Sequence, residues 1–64
     1  MKNKVKEYRL KEGMSQEELA KKSGVSRTTI SDLENGKVDV ITNITLQKIA
    51  NALNRKVSTI FFIN

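Results

Sequence analysis

The sequence predicts an all-α protein, a compact bundle of five short helices formed by residues 1–64 as a single domain. Three observations carry that expectation. No stretch alternates apolar and polar residues as a half-buried strand would, whereas apolar residues recur three and four positions apart. Ser15, Ser26 and Thr42 each stand just ahead of such a stretch, where a side-chain oxygen can cap a helix start. Gly13, Gly24, Gly36 and Asn54 each follow one, where a left-handed residue closes a helix.

Taken in order, the first helix covers residues 4–12, with Asn3 as its N-cap and Gly13 as its end. Val5 and Tyr8 share its inner face. The second helix opens on Ser15 and Glu18, whose S-x-x-E spacing is that of a reciprocal capping box, with Met14 and Leu19 placed as a hydrophobic staple. Leu19 and Ala20 face inward, Lys21 and Lys22 outward, and the helix stops near Ser23-Gly24. Val25 fills the corner. The third helix runs from Arg27 to Glu34, capped by Ser26 and ended by Asn35-Gly36. A loop, KVDVI from Lys37 to Ile41, carries more apolar residues than a solvated loop needs. Thr42 opens the fourth helix, 43–53, with Leu46, Ile49, Ala50 and Leu53 on one stripe and Ile44 off it. The fifth, 57–62, turns Val57, Ile60 and Phe61 inward and leaves Phe62 and Ile63 in surplus.

Composition narrows the function classes. With neither Cys nor His, disulfides and the usual zinc sites are excluded, and a nucleophilic serine has no customary base. The carboxylates stand mostly at helix starts, where capping explains them, so neither enzyme activity nor a metal site is expected. No apolar run reaches membrane-spanning length and no signal-peptide pattern opens the chain, which fits a cytoplasmic protein. The net charge of +5 favours an anionic partner, but it is unevenly spread. Residues 1–11 hold five bases and one acid (+4), residues 12–39 four bases and six acids (−2), and residues 40–64 three bases and no acid (+3). The flanks supply the positive field.

Helix, glycine corner, helix over Ser15–Lys37 is the spacing of a helix-turn-helix. At about 100° per residue from Ile30, Leu33 and Ser26 fall on the buried side of the second of these helices. Thr28, Ser31, Asp32 and Asn35 lie opposite, at about 100° to 200°, and Arg27 flanks them. Such compact polar side chains allow a helix backbone to approach base edges in a major groove.

The run GMSQEELAKKSGVSRTTISDLENGK resembles, almost position for position, the helix-turn-helix of the phage-repressor and Cro-like (XRE) family. TLQKIANALN resembles the fourth helix of those domains and VSTIFF the fifth, so the likeness covers nearly the whole chain. It implies a lambda-repressor-like five-helix bundle that binds double-stranded operator DNA as a twofold homodimer, with the third helix in the major groove. Carried over by position, Arg27, Thr28 and Asp32 would read bases, with Ser26 and Ser31 beside them. Gln16 would contact a phosphate and buttress the third helix, and Asn35 and Lys37 would hold the DNA backbone. Arg9 and Glu34 stand where such domains place a structural ion pair. Four departures are notable: Asp32 replaces an amide or basic residue, Lys56 stands where a capping residue often opens the fifth helix, Ile44 replaces a usually polar residue, and the 38–41 loop is unusually apolar.

The expected function is therefore a small dimeric repressor reading a palindromic operator, with no cofactor and no small-molecule ligand. Phe62 and Ile63, with Ile44 or the 38–41 loop, are its candidate dimer surface. The rival from another class is a protein-binding helix-turn-helix module, an antitoxin or bridging factor, working through the same apolar residues. The compact polar face of the third helix favours DNA, because a protein-binding face would carry aromatic or aliphatic anchors.

Overall fold

The computed structural model describes residues 2–38 and 40–62. Among them the chain forms α1 (Val5–Lys11), α2 (Gln16–Ser23), α3 (Arg27–Glu34), α4 (Asn43–Ala52) and α5 (Val57–Ile60). Among the described residues no strand is formed; an isolated antiparallel bridge joins Asn3 to Phe61.

Local chemistry sets most of the boundaries. The Ser15 hydroxyl accepts the Glu18 amide hydrogen (3.0 Å) while the Glu18 carboxylate accepts that of Ser15 (3.0 Å), so both partners of the capping box are engaged. The Ser15 amide, which donates to the carboxylate, and secondarily the Ser15 hydroxyl beside it favour the ionised form and hold the Glu18 pKa below its ordinary value of 4.5. A group whose pKa is lowered on folding contributes stability above its unfolded pKa and loses it as pH falls through the folded one. Wild type is thus expected to melt above Glu18→Gln at neutral pH, with the gap closing as pH falls below about 4.5. Thermal melts across that range check it; a gap that persists in acid would contradict the assignment.

Ser26 caps α3 and Thr42 caps α4 in the same manner, each hydroxyl accepting the amide three residues on at 3.2 Å. Capping also corrects one expectation. Ser26 is exposed, not buried, because the N-cap residue lies outside the helical rotation on which the angular placement relied. α2 closes on Gly24, whose φ of 74° lies in the left-handed region that side chains disfavour. α3 closes with Gly36 at φ 70°, the Gly36 amide reaching the Leu33 carbonyl and the Lys37 amide the Asp32 carbonyl. This paired closure fixes the backbone at Lys37. Asn54 serves α4 at φ 57°.

The ends of α1 and α5 differ from the sequence expectation. α1 starts at Val5 with Lys4 in the cap position, yet Asn3 still accepts the Val5 amide from one residue further out (3.1 Å). α5 ends at Ile60, not 62, because Phe61 turns extended (φ −117°, ψ 132°) and bridges to Asn3. Its start has no side-chain cap at Lys56.

The core consists of Val5, Leu19, Val25, Ile30, Leu33, Ile49, Ala50, Ala52, Leu53, Ile60 and Phe61. α2 packs on both α3 and α4, α1 lies against α3, and α5 against α4. Every helix thus contributes to one apolar centre, and α3 is held from behind by α1 and α2. Tyr8 is half-buried beneath two cations, Lys11 and Arg55, whose charged groups lie 4.8 and 5.0 Å from the ring centre.

Candidate nucleic-acid interface

The outer face of α3 is built from its rotation. Ile30 and Leu33 are buried at 0% and 1% exposure, which turns Thr28, Ser31 and Asp32 away from the core. Arg27 and Thr28 are exposed, and Ser31 and Asp32 half-buried. Gln16, from the first turn of α2, joins Arg27, Thr28, Ser31 and Asp32 around a shallow depression of about 270 Å³. No apolar side chain lines it. Ser26 stands at the start of this face, its hydroxyl shared between the Thr29 amide and the Thr29 hydroxyl (2.8 Å). Asn35 and Lys37 are exposed just beyond the other end.

A buried polar network holds this face in place. Arg9 of α1 donates through Nε to Glu34 Oε2 (2.7 Å) and through a terminal nitrogen to Glu34 Oε1 (3.1 Å), a bidentate pair. The Arg9 and Glu34 side chains are only 9% and 3% exposed. The remaining Arg9 nitrogen donates to the Met14 carbonyl (2.7 Å), tying the α1–α2 turn to the same centre. Gln16 Nε2 donates to Glu34 Oε1 (3.1 Å). The carboxylate raises the Arg9 pKa above its already high value, so the guanidinium is charged at every ordinary pH. Three helices therefore converge on one carboxylate at the end of α3. The Gln16 amide has a second hydrogen left to donate outward.

A further tether was not visible in the sequence. Asn3 Nδ2 donates to the Leu33 carbonyl (2.9 Å), which also accepts the Gly36 amide that closes α3. No local pattern announces it, because its partners are 30 positions apart.

The apolar residues singled out in the sequence part company. Ile44 and Val40 are exposed, at 69% and 90%, while Val38 and Ile41 pack partly against the core. Phe62 is half-buried, with the Lys4 ammonium 5.7 Å from its ring centre. Ile63 lies outside the described residues. Among the described residues no group of acids could hold a metal ion, and no helix is long and apolar enough to cross a membrane.

A helix-turn-helix family model matches residues 5–60, from the first residue of α1 to the last of α5. The chain belongs to the XRE, or Cro/C1-type, helix-turn-helix family. An uncharacterized HTH-type transcriptional regulator of Methanocaldococcus jannaschii is 48% identical over 61 residues, covering 95% of this chain and 91% of its own. Another, from Archaeoglobus fulgidus, is 42% identical over 64 residues, covering 100% of this chain and 90% of its own. One from Bacillus subtilis is 41% identical, covering 98% and 94%. XRE-family proteins are DNA-binding transcriptional regulators, not enzymes as a rule. In this XRE-family chain the helix-turn-helix is α2 and α3, and the polar depression lies on the outer side of both.

Proposed function

We propose that this protein is a sequence-specific regulator, a small dimeric repressor that lays α3 in the major groove of a palindromic operator. The observation that carries the reading is the polar depression of Gln16, Arg27, Thr28, Ser31 and Asp32 on a buried scaffold. Arginine suits guanine, the threonine methyl suits the thymine methyl, and the hydroxyls accept or donate to either strand. Ser26, at the start of the same face, lies beside them. Gln16, Asn35 and Lys37 would hold phosphates, and the basic flanks would supply the field that the net-acidic centre lacks.

Arg27→Ala and Thr28→Ala are expected to relax operator preference while leaving the helical fold intact, each at a cost of about 1–3 kcal/mol on the preferred sequence. Lys37→Ala should weaken binding to all sequences alike and lower the salt slope by about one. Selection from random DNA, followed by titrations at several salt concentrations, measures both. Unchanged sequence preference in the first two variants would end the base-reading assignment.

One α3 reads only a few base pairs, so two copies on half-sites about one helical turn apart are needed for a unique site. The exposed Val40 and Ile44, with the half-buried Phe62, would offer apolar side chains to the second copy; Ile63, the remaining candidate, lies outside the described residues. Sedimentation with and without operator tests this; monomer alone under both conditions would overturn it. The same two exposed residues are what favours the rival reading, a helix-turn-helix that captures another protein. In that case Ile44→Ser would abolish partner capture and Arg27→Ala would change nothing.

A further inference from the structure

Asp32 is the one side chain of the depression that works against its own surroundings. It occupies the last turns of an eight-residue helix that has no basic residue at its end, where the helix dipole disfavours a carboxylate. Aspartate is also a poor helix former. No compensation is visible: among the described residues its side chain has neither a hydrogen bond nor an ion pair, although Arg27 lines the same depression. Glu34, two residues on, has three donors. A structural role therefore explains Glu34 and leaves Asp32 unexplained, and residues that break local rules without compensation mark functional sites.

Resting on the DNA-binding reading, we infer that Asp32 selects cytosine at one position of each half-site by accepting the groove-facing hydrogen of its N4 amino group. A carboxylate only accepts, and the major groove offers donors at just two places, cytosine N4 and adenine N6. Adenine sets its N7 acceptor beside N6, and that lone pair repels the second carboxylate oxygen. Cytosine has no acceptor on the corresponding edge. Guanine and thymine present acceptors and leave the carboxylate unpaired in a groove already flanked by phosphates, which rejects them. Asp32 thus discriminates chiefly by exclusion.

The test uses the full chain and random-sequence DNA selection. Wild type is expected to enrich cytosine at one position per half-site. Asp32→Ala should collapse that preference by roughly 5- to 150-fold while other positions keep theirs, and should bind unrelated DNA more tightly. Asp32→Asn should move the same position toward adenine, which an amide pairs in bidentate fashion. A second measurement changes the DNA. N4-methylcytosine still pairs with guanine but turns its methyl group toward the groove, replacing the hydrogen that Asp32 would accept. Methylation at that position should weaken wild type and leave Asp32→Ala unaffected, a coupling that a merely structural Asp32 would not produce. An equal methylation penalty in both proteins overturns the inference. A motif blurred by Arg27→Ala but untouched by Asp32→Ala refutes this inference alone. If wild type enriches no motif, the base-reading proposal falls with it.

Discussion

Glu34→Ala is expected to lower the melting temperature by roughly 12–40 °C. The variant leaves the Arg9 side chain, only 9% exposed in the intact pair, with the Met14 carbonyl as its one remaining partner, and it frees the Gln16 amide. Breaking a buried pair from one side costs about 3–5 kcal/mol, because the surviving charge stays desolvated. A small protein has about 5–15 kcal/mol in total and the shortest have least, so much of its stability goes. Replacing both partners together, as Arg9→Met with Glu34→Leu, should recover most of the loss, since the uncompensated charge is gone. Circular dichroism melts of the three variants decide the matter. A drop of only a degree or two for Glu34→Ala would mean that water reaches Arg9 and that the pair is not the anchor of α3.

Ile30→Ala is the second large effect. Ile30 is fully buried at the middle of α3, against the core to which every helix contributes. Truncation removes transfer free energy and leaves a cavity, together about 2–5 kcal/mol, whereas Ile30→Val should cost about 0.5–1.5 kcal/mol. Urea unfolding measures both. The graded pair also separates stability from recognition. Ile30 touches no DNA in the proposed complex, so DNA affinity should follow the folded fraction and the preferred sequence should not change. A loss for Ile30→Ala below about 0.5 kcal/mol would show that the site collapses freely around the missing atoms.

The helix boundaries were legible because their determinants are local. Ser15 with Glu18, Ser26 and Thr42 each act within three residues, and Gly24, Gly36 and Asn54 close helices through their own φ angles. The outward face of α3 was legible for a related reason: Ile30 and Leu33 fix its rotation. What escaped depends on partners far apart in the chain. The extended turn at Phe61, which shortens α5, exists because Asn3 lies across from it. The gathering of Arg9, Met14 and Gln16 about Glu34 could be placed only in part, by the register of the family; geometry supplies the rest. Ala52, off the fourth helix's expected stripe, is buried at 5%, since α4 is covered on two sides by α2 and α5.

The bridge between Asn3 and Phe61 bears on the order of assembly. The Lys4 amide donates to the Ile60 carbonyl at 2.7 Å, so the segment made early in synthesis is secured by one made late. Until residues 60 and 61 are in place, α1 has neither that bond nor its neighbouring bridge. The contact joins segments more than fifty residues apart, so closing it costs more chain entropy than any helix cap, and it is expected to be among the last contacts to form.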